Sequence, residues 1–234
     1  MSWIDEPLLG FDTETTGVDV AGDRIVTAAL VLRSPGTATE IRTWLVDPGV
    51  PIPAEAAAIH GVTTAQAVAH GRAPGPALDE IATLITRHVA RGLPVVAFNA
   101  AFDLSLLDAE LVRHALPTLP QRLGRDVSPV LDPLVLDRAL EPRRRGKRTL
   151  GALVEEYGVF DAGSLHTADV DVVATLDVLA AMAHRHPELA DRSLADLHRF
   201  QISAHRDWAD SFNAWRASQG FVGAGASGGW PSGA

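Results

Sequence analysis

Asp12 and Glu14 stand two residues apart in LLGFDTETTG, at the end of a short apolar run. Side chains alternate across a strand with period two, so in an extended segment both carboxylates leave the same face. Two like charges about 4 Å apart repel by roughly 4 kcal/mol at the effective dielectric of a protein surface. A divalent cation is the usual compensation, and ligands that are all oxygen suit Mg²⁺ or Mn²⁺ better than a softer metal. The pair alone is also what a solvated turn looks like. Asp103, in FNAAFDLSLL, opens a helix directly after an apolar segment, and the carboxyl ends of sheet strands are a favoured place for function. Its plainer role is to complement the positive end of that helix, as Asn99 could be a turn or cap residue. A third element is HTADVDVVATLDVL, residues 166–179, where His166 precedes a helix that contains Asp171. Five residues of helix turn through about 500°, so the two meet only if His166 sits on the loop or first turn and reaches back. Asp171 shares its side of the helix with Ala174, Thr175 and Val178, and a carboxylate on such a stripe needs a partner. Asp169 and Asp177 read as solvated surface charges.

The elements that must position these groups follow from periodicity. Residues 8–12, 24–33 and 40–46 are apolar segments separated by turn signals and read as three strands in a meander. After Pro48 the texture becomes Ala-rich with helical spacing, and within 77–90 Leu78, Ile81, Leu84, Ile85 and Val89 repeat on one face. Residues 94–98 (PVVAF) are wholly apolar, as expected of a strand buried on both faces, and lead through Asn99 into a helix over 102–114. Further helices are predicted over 133–140, 150–157 and 168–184, with a basic loop at 143–148 and an irregular Pro-rich stretch after Leu116. Residues 193–218 read as one more helix, whose Leu197, Phe200, Trp208, Phe212 and Trp215 do not share a single face. The Gly-rich end, from 219 on, reads as a flexible tail in which Trp230 is a candidate anchor.

Taken in order, FDTETTG, NAAFDLSLL and HTADVD resemble the three exonuclease motifs of the DEDDh group, the DnaQ-like 3′-5′ exonucleases of the ribonuclease-H-like superfamily. The resemblance extends over residues 8–186. It implies an α/β fold with a mixed five-stranded sheet flanked by helices. The domain would end near residue 190, with a C-terminal helical extension over 191–218. It implies two Mg²⁺ or Mn²⁺ ions held by Asp12, Glu14, Asp103 and Asp171, with Asp12 bridging them, and His166 as general base toward an attacking water. Histidine ordinarily titrates near about pH 6.5, which suits that role. The resemblance further implies that a 3′ end is threaded into the site. Thr15 and Asn99 would hold the terminal nucleotide, and the product would be a nucleoside 5′-monophosphate. IHGVT, residues 59–63, resembles a segment common in these enzymes, and its His60 is a pocket candidate beside a structural role. Phe102 could pack on a base or belong to the core.

The whole chain has 234 residues, 47% hydrophobic and 21% charged, with no Cys, which excludes thiol chemistry, disulfide scaffolds and Cys-ligated metal sites. Its net charge of −9 argues against coating nucleic acid by bulk attraction. Cations concentrate locally instead: residues 121–148 hold eight Lys/Arg against four Asp/Glu, a balance of +4. Arg143, Arg144 and Arg145 are therefore candidates for phosphate contact. The expected partners are single-stranded DNA or 3′ ends of duplex DNA, with RNA as the alternative substrate and a polymerase subunit or a second copy as protein partners. A signal peptide and a membrane span are both unexpected, so the protein is expected in the cytoplasm. Two other readings compete. One is a non-catalytic binding module on the same fold. The other is a haloacid-dehalogenase-type phosphatase, against which stand Glu14 in place of a second Asp and the single Lys147.

Overall fold

The computed structural model describes residues 2–159 and 166–232; residues 233 and 234 of the Gly-rich tail lie outside the described residues. Five strands form one mixed sheet in the order β3-β2-β1-β4-β5. β1 (Leu8–Thr15), β2 (Ile25–Arg33) and β3 (Glu40–Leu45) make the antiparallel meander, with Leu8 opposite Arg33 and Thr27 opposite Leu45. β4 (Val95–Val96) and β5 (Val130–Leu131) extend the sheet in parallel on the other side of β1. Between β3 and β4 run α1 (Ala54–His60), α2 (Thr64–His70) and α3 (Pro74–Ala90). Between β4 and β5 run α4 (Ala100–Arg113) and α5 (Leu119–Leu123). After β5 come α6 (Pro133–Leu140), α7 (Leu150–Glu156), α8 (Ala168–Arg185), α9 (Pro187–Ala190) and α10 (Leu194–Ser218). This is the helix-flanked mixed sheet with C-terminal helices that the motif resemblance implies.

Strand alternation divides the core in two. Leu9, Phe11, Leu30, Val95 and Val130 face α3 and α4, where Leu78, Ile81, Ile85, Leu104, Leu107 and Leu111 meet them. Leu8, Ala29, Val31, Val96 and Leu131 face the opposite layer, with Leu153 of α7 and Val172, Leu176 and Leu179 of α8. Both faces of the central strands are buried, which is why β4 lies in an unbroken apolar run. At about 1.5–3 kcal/mol for each large side chain fully withdrawn from water, these layers dominate the folding energy. Among the described residues no helix is long and apolar enough to cross a membrane.

Several boundaries differ from the sequence expectation. β1 continues to Thr15 because β2 pairs with it along that length, with a register break between Glu14 and Thr15. α3 starts at Pro74, where a proline is suited to the first turn, and α4 starts at Ala100. β5 has two residues and carries no local pattern of its own; it exists because β4 offers it a partner edge. α10 packs on α6 and β5 and buries Leu197 completely, whereas Trp215 stays 52% exposed.

Candidate active site

Asp12 and Glu14 do leave one face of β1, and Gly10 precedes them on it. A Cβ built on Gly10 would collide with Val172 Cγ1 and crowd Leu176, so the missing side chain is what lets α8 lie directly on the strand. Asp171, one residue before Val172, is thereby carried to the two acids. One ligand oxygen each from Asp12, Glu14 and Asp171 lie within 4.8 Å of one another, a spacing that one cation can span. His166 precedes α8 with φ 97°, a left-handed backbone that strains a residue other than glycine. Its backbone N–H donates to Asp171 Oδ1 at 3.1 Å. The imidazole is exposed, which leaves it open to proton exchange with solvent.

Asp103 arrives from the other side of the sheet. Thr13, between the two acids, faces α4, and both its N–H and its hydroxyl donate to Asp103 Oδ1, at 3.1 and 2.6 Å. Asp12 therefore sits between a carboxylate delivered by α8 and one delivered by α4. The start of α4 has an unusual cap. Asn99 is left-handed (φ 60°, ψ 44°) and makes no side-chain cap; instead Asp132, at the end of β5, accepts from Asn99 N at 3.1 Å and from Ala100 N at 2.9 Å. Asp132 also caps its own helix, α6, through Leu134 N at 2.9 Å. One buried carboxylate thus satisfies the orphan donors of two helix starts. Sequence reasoning passed over Asp132, although Asp followed by Pro at a helix start is a recognisable cap signal.

The electrostatics are those of a cation site. Burial, and after it Asp103, Asp171 and Glu14, push the Asp12 carboxyl well above the usual carboxylate range. Burial, reinforced by Asp171, pushes Glu14 up to about 7. Burial likewise lifts Asp103 to about 7, against the two bonds from Thr13 that pull it down. No Lys or Arg pairs with Asp12, Glu14 or Asp103 among the described residues. Hard divalent cations, which prefer carboxylate oxygen and would remove this repulsion, fit the donor set.

The remaining candidates separate into near and far. His60 ends α1, and its Nδ1 accepts from Val62 N at 3.2 Å, so the proton resides on Nε2. Nε2 is buried near the Thr15 backbone without completing a hydrogen bond. His60 also lines a cavity of about 330 Å³ together with Glu14, Trp44, Val62, Thr167 and Asp169. The Thr15 hydroxyl donates to Gly17 O at 2.6 Å and shapes the turn after β1. Phe102 is half-buried against the α3–α4 core. In the basic loop, Arg144 and Arg148 turn inward and pair with Asp137, which is fully buried and also accepts from the Tyr157 hydroxyl. Arg143 and Arg145 are exposed and without an ion-pair partner among the described residues.

A mixed sheet that gathers acids at the end of its central strand, from helices on both faces, defines a nuclease-type α/β domain. The chain belongs to the RNase_T exonuclease family, whose model matches residues 9–179. A DNA polymerase III subunit epsilon-like protein of Rhodobacter capsulatus is 34% identical over 189 residues, covering 79% of this chain and 24% of that protein. A PolC-type DNA polymerase III of Streptococcus thermophilus is 30% identical over 165 residues, covering 70% of this chain and 10% of the polymerase. The chain thus spans a quarter or less of these relatives. Among solved structures, exonuclease I of Methylocaldum szegediense superposes with a TM-score of 0.67 at 23% identity, covering 87% of this chain and 46% of that one. E. coli exonuclease I in complex with a dT13 oligonucleotide gives 0.63 at 22%, covering 80% and 43%. The fold is therefore the ribonuclease-H-like fold of these exonucleases, and exonucleases of this family use divalent metal ions.

Proposed function

We propose that the chain is a metal-dependent 3′-5′ exonuclease that removes nucleoside 5′-monophosphates from DNA ends. The observation that carries this reading is the meeting of Asp12, Glu14 and Asp171 oxygens within 4.8 Å, with Asp103 behind them, in a member of an exonuclease family. Mg²⁺ or Mn²⁺ ions at these carboxylates would stabilise the attacking and leaving oxygens of an in-line displacement at phosphorus and acidify a bound water. Asp12, Glu14 and Asp171 form the inner acid set. Asp103, whose Oδ1 is engaged by Thr13, offers Oδ2. His166, tied through its backbone to Asp171, takes the proton of the attacking water and passes it to solvent. The cavity beside Glu14, lined in part by His60 and Trp44, receives the terminal nucleoside, and Thr15, Asn99 and Phe102, which do not line it, are kept as contacts only by the motif resemblance. Arg143 and Arg145 are the loop cations left for phosphate contact; Arg144 serves the fold through Asp137.

The preference for DNA is supported by the polymerase relatives and by the oligonucleotides bound to the exonuclease I structures. The same relatives support a role beside a polymerase, as a proofreading unit. The test is digestion of labelled DNA and RNA oligonucleotides with either end blocked, with Mg²⁺, Mn²⁺ or EDTA. Shortening of DNA that stops with a blocked 3′ end but not with a blocked 5′ end is expected. The opposite polarity, or RNA cleaved in preference, overturns the corresponding part. His166→Ala is expected to lower kcat by about 10²–10⁴-fold; unchanged activity would remove the proposed base.

A further inference from the structure

We infer that Trp230, near the far end of the chain, is a positioning residue for the catalytic acids, acting through Asp132 on the start of α4. The inference rests on the exonuclease reading for its kinetic part and on contacts alone for the rest. Trp230 is buried, 6% exposed, and its indole Nε1 donates to Asp132 Oδ2 at 3.3 Å. That oxygen also accepts from Ala100 N, and its companion accepts from Asn99 N and Leu134 N. Ala100 is the first residue of α4, and Asp103 is three residues on, in the same first turn. A short chain of contacts therefore runs from the C-terminal segment to a site acid.

The segment is held as a strap over α10. Asn213 grips it twice, its side-chain Nδ2 donating to Ala226 O at 2.9 Å and its Oδ1 accepting from Ala226 N at 2.8 Å. The ring Nε2 of His205 meets Ser227 O at 3.1 Å. Gly225 lies so close to Asn213 that a Cβ would strike its Oδ1. Beyond these grips the chain delivers Trp230 onto the His198 ring, with centroids 5.2 Å apart. His198 Nδ1 in turn accepts from Val130 N of β5, and Gln201 Oε1 accepts from Asp132 N at 2.7 Å. Trp230 thus closes the last open side of an anchor that fixes β5, α6 and α4 together.

A buried carboxylate without its full set of donors leaves a costly unsatisfied group. Asp132 accepts from four N–H groups and has no Lys or Arg ion pair among the described residues; the Trp230 indole is the one of the four that comes from outside the starts of α4 and α6. Loss of the N–H frees Asp132 to shift, and Asn99, in a left-handed conformation, relaxes most readily. The first turn of α4 then moves Asp103 relative to Asp12.

The test uses the full chain with Trp230→Phe, which keeps the ring against His198 and removes only the donor, and Trp230→Ala. Amide hydrogen exchange at Asn99 and Ala100 is expected to accelerate at least threefold in Trp230→Phe and further in Trp230→Ala, with α8 unchanged. With a 3′-labelled oligonucleotide at saturating Mn²⁺, kcat is expected to fall at least threefold while KM stays within twofold. Adding Trp230→Phe to Asp132→Asn is expected to cost no more than Asp132→Asn alone, because both act through one anchor. Additive effects, or a lowered Tm with unchanged exchange at Asn99 and unchanged kcat, would overturn the inference. A wild-type chain without nuclease activity would sink the exonuclease reading while the exchange measurement still judges the strap.

Discussion

Two groups of wholly or partly buried acids in this domain are treated in opposite ways. Asp137 is fully buried and receives two guanidinium groups, from Arg144 and Arg148, and the hydroxyl of Tyr157. Asp12, Glu14 and Asp103 are gathered with Asp171, and no Lys or Arg pairs with the first three among the described residues. The Asp137 cluster is complete as it stands: the charge is neutralised, and the basic loop is pinned to α6. The other cluster is held together by the fold against its own repulsion, by strand pairing, Gly10 and Thr13. The folded chain supplies arginine counterions to Asp137 and, among the described residues, none to Asp12, Glu14 or Asp103. Charge partners separate these two groups more clearly than burial does.

The contrast can be attacked by substitution. Asp12→Asn is expected to lower kcat on the order of 10³-fold, comparable to removal of a principal electrostatic group in other active sites, while raising the Tm of the metal-free protein at pH 8 by relieving repulsion. A drop in metal-free Tm would mean that Asp12 has stabilising partners after all. Asp137→Ala should do the reverse, costing about 3–5 kcal/mol of stability because two guanidiniums lose their buried partner. Urea denaturation measures it, and a cost below about 1 kcal/mol would place the loop arginines in solvent rather than on Asp137. Gly10→Ala is expected to cost about 1–3 kcal/mol through overpacking against Val172. It should also reduce kcat, since α8 carries Asp171; loss of stability with full activity would detach α8's seating from the chemistry.

The same acids also predict a pH dependence. Glu14 and Asp103 titrate near about 7 in the folded metal-free protein, above their ordinary values of 4.5 and 3.8. Between those values and 7 the folded state holds more protons than the unfolded state, so the contribution to stability is full at low pH and is lost as pH rises through 7. Metal-free Tm is expected to be lower at pH 8 than at pH 5 from this source. Metal binds the deprotonated carboxylates, so Mn²⁺ should raise Tm more at pH 8 than at pH 5. Equal protection at the two values would show that the acids are already ionised without metal.

Much of the candidate site was legible in the chain because its signals are local. Asp12 and Glu14 share a face by strand alternation, Asp103 falls in a first helical turn, and His166 and Asp171 straddle a helix start. The three-strand meander and the long helices follow from hydrophobic period in the same way. β5 and the cap of α4 were not legible. A two-residue strand has no period, and Asn99 gives no sign that its helix is capped by a carboxylate 33 residues away. Arg144 and Arg145 look alike in RRRGKR, yet only the first meets Asp137.

The sequence by itself determined which residues could bind a cation and, through their alternation and helical phase, toward which side of their own element each points. The tertiary structure alone decided which acids are left to one another and which receive arginine. It also decided that Gly10 is a seat for α8 and that Trp230 reaches the anchor of α4. The reason is physical. Phase and propensity are set by neighbours along the chain, whereas the dielectric, the charge partner and the close approach around a group are set by atoms that folding brings from elsewhere.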